Sequence, residues 1–188
     1  MSIKDRFSKA INAFLDDEEE KVDRKPSMKE KEPSENNIME EKIEKGNEFE
    51  SFVVKKFSRK YFSIVAWTTD INRKHNRYVE SDSDPDLRIR YVPTDEEFSI
   101  ECKFRSGLYQ GKIAWCKYEQ MERYRDYREK TGIPLFIVIG FGGEPGKPER
   151  MFCVPIEEIK YNQLYPSAIE AFERNPKEYF FWKNGVLE

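Results

Sequence analysis

The stretch FSIECKFRSG, residues 98–107, alternates strictly between apolar and polar side chains. Side chains along a strand point to opposite faces with period two. Phe98, Ile100, Cys102 and Phe104 therefore share one face, and Ser99, Glu101, Lys103 and Arg105 the other. The apolar row demands a packed layer against it, so this strand belongs inside a layered sheet. The polar row then holds a carboxylate and an ammonium two residues apart, with an acidic group, SDSDPD at residues 81–86, just upstream.

The neighbouring segments supply the rest of the layers. GNEFESFVVKKF carries Phe49, Phe52, Val53 and Phe57 at the spacing of one helix face. YFSIVAWTT is rich in aromatic and β-branched residues and predicts a strand. DLRIRYV and EFSIECKF form a hairpin joined at PTDEE. WCKYEQMERYRDYREKTG predicts a helix that ends in a basic turn with Gly132 as its C-cap. PLFIVIGF is a fully buried strand, RMFCVPI is a further one, and a last helix is expected near 165–174. Helix, three strands, helix and two strands make an α/β arrangement, a mixed sheet flanked by helices.

Before Gly46 the composition changes. Residues 3–15 place Ile3, Phe7, Ala10, Ile11, Phe14 and Leu15 at helical spacing, which predicts an amphipathic helix over 1–15 suited to docking on a protein partner. Residues 16–45 are charged and nearly free of aromatics, so they are expected to be a disordered linker, with the folded domain spanning 46–188. The net charge is −3, but residues 1–45 hold ten basic and thirteen acidic side chains, leaving 23 of each for 46–188. Any affinity for a polyanion must come from local patches or a bound cation. The three cysteines are an odd count with no CxxC spacing, so neither a zinc cluster nor a disulfide framework is indicated. The longest apolar run is about half of the roughly 20 residues that a membrane span needs. No membrane association and a reducing, cytoplasmic setting are expected. The one histidine, His75, excludes a multi-histidine metal site and argues against a Ser-His or Cys-His triad.

Three readings meet at SDSDPD. Asp82, Asp84 and Asp86 have the spacing of a calcium loop, but the glycine position is Leu87 and the bidentate glutamate position is Pro93, which excludes it. Ordinary loop residues before a strand are the second reading. The third joins the hairpin strands. Pairing Tyr91 with Phe98 would set Asp86 opposite Lys103 and one step from Glu101, so that two carboxylates and a lysine converge. Hard divalent cations favour such oxygen ligands.

Pro85-Asp86 followed by Glu101-Cys102-Lys103 resembles the signature of the PD-(D/E)XK nucleases, the restriction-endonuclease-like superfamily, over roughly Gly46 to Pro155. Gly46 and Glu50 are similar to that family's G-x-x-x-E helix, and Gln120 and Tyr124 to the Q-x-x-x-Y element of its exonuclease branch. The resemblance implies an αβββαβ core and a metal-dependent nuclease that hydrolyses phosphodiester bonds in DNA. Asp86 and Glu101 would hold Mg²⁺ or Mn²⁺ with the Cys102 carbonyl, and Glu50 would reach the metal directly or through water. Lys103 would orient the attacking water and stabilise charge on phosphorus, and Gln120 would approach the metal or the substrate strand. Asn47 to Glu50 also fits a capping box, which needs no catalysis. An end-processing exonuclease, a branched-DNA resolvase and a restriction or repair endonuclease all remain open, and a homodimer would suit the resolvase. The DNA contacts would come from Arg73, Lys74, Arg77, Arg88, Arg105, Lys112, Lys117 and Tyr124. The competing reading is a binding module for DNA or a protein that keeps this fold without cutting.

Overall fold

The computed structural model describes residues 35–68 and 84–188. The amphipathic segment 3–15, the linker up to Ser34, and Arg73, Lys74, His75 and Arg77 lie outside the described residues. The first described element, α1 (Glu35–Val54), begins eleven residues before Gly46, inside the stretch read as a linker. Its upstream half is rich in Glu, Lys and Met, which are strong helix formers, and is braced by a Glu41–Lys45 ion pair of 2.6 Å at i, i+4. Low hydrophobicity alone hid this helix, because its anchor lies downstream. Phe49 and Val53 are fully buried, and each such side chain contributes roughly 1.5–3 kcal/mol.

The strands are β1 (Phe62–Trp67), β2 (Leu87–Tyr91), β3 (Glu96–Arg105) and β4 (Ile113–Ala114), followed by helix α2 (Tyr118–Thr131). Then come β5 (Leu135–Glu144), β6 (Lys147–Pro155), β7 (Gln163–Leu164), β8 (Glu173–Arg174), β9 (Trp182–Lys183) and β10 (Val186–Leu187). The expected last helix is a 3₁₀ segment, Pro166–Phe172. Six strands form one mixed sheet in the order β1-β2-β3-β5-β6-β8. Only β3 and β5 pair in parallel within it, and the crossover between them carries α2. The order of α1, β1 to β3, α2 and β5 reproduces the αβββαβ core implied by the resemblance.

Both faces of the sheet are covered. On one, α1 and the β9–β10 hairpin bury Phe98, Ile100, Phe136 and Val138, with Trp182 stacked on Phe98 at 4.4 Å between ring centroids. The hairpin turns on Asn184 and Gly185, both at positive φ, the residue pair that tight β-turns favour. On the other face, α2 and the strands β4 and β7 enclose Ile137, Ile139, Phe152 and Trp115. Gly132 caps α2 at φ 70, its N–H reaching the Arg128 carbonyl at 3.0 Å, as its sequence predicts. Gly140 lets α1 approach: a Cβ there would stand 2.3 Å from the Phe49 ring.

The β2–β3 register differs from the expected one. Tyr91 pairs with Glu96 rather than Phe98, and Leu87 with Ile100. The chain turns in four residues, Val92 to Asp95, with Asp95 at φ 58. A shift of two residues keeps every side chain on its face, so hydrophobic alternation cannot detect it. Turn geometry decides it. Asp86 consequently lies one step beyond the Leu87–Ile100 pair, beside Glu101 rather than Lys103.

Candidate active site

Three elements deliver acids to one place. The α1 face that buries Phe49 and Val53 also turns Glu50 inward, where it is 5% exposed. Asp86 enters β2 at 7% exposure, and Glu101 sits mid-strand on β3 at 2%. Each is fixed by donors. The Cys102 N–H donates to Asp86 Oδ2 at 2.8 Å, and the Asp86 N–H to Glu101 Oε2 at 3.3 Å. Glu101 Oε1 accepts from the Tyr124 hydroxyl at 2.6 Å and from the Lys103 ammonium. The Trp67 indole N–H donates to Glu50 Oε2 at 3.3 Å. Asn47 and Glu50 both lie well inside α1, so the capping-box explanation of Glu50 fails.

The electrostatics follow from burial. Loss of water pushes the Asp86 carboxyl well above its ordinary range; Glu101 and Glu50 add to this as like charges, and Lys103 opposes it. For Lys103 burial favours the neutral amine, yet the Glu101 carboxylate, with Tyr124 and Asp86, outweighs it and holds the ammonium well above its usual pKa. Burial and the Glu101 charge likewise keep the Tyr124 hydroxyl protonated. Lys103 and Tyr124 are thus proton donors here rather than bases.

A cleft of about 590 Å³ opens here, its lining including Glu50, Asp86, Lys103 and Gln120. Gln120 accepts the Lys117 N–H at 3.0 Å, closing the first turn of α2 at the cleft. Lys42 and Lys45 of α1 also line it, as does the Cys102 backbone segment. Sequence reasoning missed both lysines by assigning them to a linker. It missed Trp67 because a bond across seventeen residues leaves no local signal.

Among the described residues expected to touch DNA, several are engaged within the protein. Arg105 also borders the cleft, but its guanidinium is spent on the backbone carbonyls of Phe104, Ala114 and Trp115, pinning the strand to the segment before α2. Arg88 pairs with Glu97 at 2.8 Å, and Lys112 lies over the Tyr165 ring at 5.0 Å. Tyr124 is buried against Glu101, where it orients a carboxylate. Lys117 stands at the α2 N-cap.

Asp86 and Glu101 lie buried beside the one Lys103 ammonium, and the Glu50 charge adds to the repulsion felt at Asp86. Among the described residues no three His, Cys, Asp or Glu side chains converge as a ready-made metal cage. Glu101 is drawn to Lys103 and Tyr124, and Asp86 to a backbone N–H. The donor set itself, all carboxylate oxygen, fits a hard divalent cation that keeps several waters.

No family model matches this sequence, and no curated protein does. Among solved structures the chain is similar to Hjc, a Holliday junction resolvase from Archaeoglobus fulgidus. The TM-score is 0.49 at 12% identity, over 73% of this chain and 99% of that one. The functional reading therefore rests on the residues of the site. No helix among the described residues is long and apolar enough to cross a membrane.

Proposed function

We propose that this protein is a metal-dependent nuclease that hydrolyses phosphodiester bonds in DNA. The observation that carries the reading is the burial of Asp86 and Glu101 beside the Lys103 ammonium, with Glu50, Asp86 and Lys103 lining an open cleft. Asp86, Glu101 and the Cys102 carbonyl would hold Mg²⁺ or Mn²⁺, with Glu50 as a further oxygen donor. Bound there, the cation supplies Lewis acidity and offsets phosphate charge.

The chain's own groups do the remaining work. Lys103, kept protonated, presents fixed positive charge where a scissile phosphate gains negative charge, an interaction that strengthens toward the transition state. Tyr124 fixes the Glu101 carboxylate, and the Cys102 N–H fixes Asp86, so that neither acid must reorganise when substrate arrives. Gln120, held by the first turn of α2, borders the path of the substrate strand.

The test is cleavage of labelled linear, circular and four-way-junction DNA, with Mg²⁺ against EDTA. Asp86→Ala and Lys103→Ala are expected to lower the rate about 10²–10³-fold, the usual cost of losing one preorganised charge partner. The substrate that disappears fastest assigns the exonuclease, resolvase or endonuclease subclass. The scattered carboxylate orientations favour one second reading, a module that binds DNA without cutting. Folded protein that binds DNA but leaves it intact with either cation would establish that reading instead.

A further inference from the structure

A second groove, of about 910 Å³, runs along β1 and the segment after α1 and is lined in part by residues of the C-terminal segment. Its wall carries the rings of Tyr61, Trp67, Tyr179 and Phe181. Trp67 is 41% exposed, Tyr179 69% and Phe181 58%, an unusual concentration of open aromatic surface on a charged chain. Lys55 and Arg59 are the charged residues of the lining, which contains no acidic one. Neither cation forms an ion pair among the described residues, whereas Arg88, Arg90, Arg128 and Arg150 are all matched to carboxylates.

Trp67 links this groove to the acid cluster. Its ring lines the groove while its indole N–H holds Glu50, and the next residue, Thr68, donates its N–H to the Asp86 carbonyl at 2.9 Å. A strand leaving the cleft by this side meets stacking surfaces flanked by unpaired cations. Duplex DNA offers such a groove only phosphates, because its bases are already stacked. Unpaired bases can use both features at once.

We propose that the groove is a binding track for a single-stranded DNA segment, with bases stacking on Trp67, Tyr179 and Phe181 and phosphates meeting Lys55 and Arg59. This deepens the nuclease reading and rests on it for the direction of the track. It implies a substrate with an unpaired arm beside the bond to be cut.

Trp67 also supplies the measurement. The other two tryptophans, Trp115 and Trp182, are buried at 0% and 4% exposure, so added nucleotide bases can reach Trp67 alone. The full-length protein is titrated in EDTA with oligothymidylate and, separately, with a blunt duplex of equal length. Oligothymidylate is expected to quench the tryptophan emission and the duplex to leave it nearly unchanged. Tyr179→Ala and Arg59→Glu should each weaken that binding roughly ten-fold, the scale of one lost base stack. Trp67→Phe should remove the signal, while an anisotropy readout still reports binding. Equal quenching by duplex, or unchanged affinity in both groove variants, overturns the proposal. So does the absence of quenching, whether another segment of the chain or a second copy fills the groove. Cleavage by the unaltered protein in Mg²⁺ separates the two readings. Quenching by a protein that never cuts upholds the track and removes the nuclease, whereas cutting without quenching removes the track alone.

Discussion

Ser99, Glu101 and Lys103 on β3 lie directly beside Leu135, Ile137 and Ile139 on β5, paired one to one in parallel register and turned toward the same helix. Burial does not separate the two rows: Ser99 and Glu101 are as inaccessible as Ile137 and Ile139, and only Lys103 keeps part of its side chain in water. Their chemistry is opposite. The β5 row stabilises the fold simply by leaving water. The β3 row needs a named partner for every group. The Ser99 and Tyr127 hydroxyls meet at 2.8 Å, Tyr124 donates to Glu101, and Lys103 pairs with Glu101. A polar row kept beside an apolar one at equal depth contributes little to stability and is the mark of a site.

Changing one row at a time breaks or sharpens that contrast. The largest effect is expected from Ile137→Ala, which should cost roughly 2–5 kcal/mol in a urea titration, through lost burial and the cavity left behind. Cleavage by the folded fraction should be unchanged. Loss of activity without loss of stability would erase the distinction between the rows.

Asp86→Asn is expected to act in the opposite sense. A carboxyl whose pKa is raised by folding binds its proton more tightly in the folded state. Its stabilising contribution is full below the unfolded value of 3.8 and is lost as pH rises toward the folded one. At neutral pH the asparagine keeps the Cys102 N–H bond and removes the like-charge repulsion, so Tm in EDTA should rise by roughly 2–6 °C. Mg²⁺ should raise the Tm of the unaltered protein and leave the variant unmoved. A variant that melts below the parent would mean that Asp86 is held by attraction instead.

The smallest change is Tyr124→Phe. Its ring stays stacked on Trp115, with centroids 6.0 Å apart, while Glu101 loses one donor. A fall in kcat of roughly two- to ten-fold with only a small fall in Tm is expected, the scale of one hydrogen bond.

The sequence made the site more legible than its surroundings. Asp86, Glu101 and Lys103 could be placed together because strand alternation survives a two-residue error of register; the register itself depends on how four residues at Val92 to Asp95 turn. The helical nature of residues 35–45 was illegible because the anchoring side chains, Phe49 and Val53, lie further along α1. Arg105 looked like a phosphate contact, since nothing local announces that its partners are the carbonyls of Ala114 and Trp115. Trp67 read as an ordinary strand aromatic, and only the fold brings it against Glu50.

The parallel pairing of β3 with β5 has a consequence for the order in which the protein matures. The two strands meet only after the whole segment from Ser106 to Pro134 has folded over the sheet, and that segment carries α2 with Tyr124 and Gln120. Antiparallel neighbours such as β2 and β3 can zip from a short turn, whereas this closure must first overcome the entropy of a long loop. The chain therefore gains its hairpins before its acid cluster is braced. A nascent or partly folded copy holds the carboxylates without the helix that orients them, so the site is completed among the last parts of the fold.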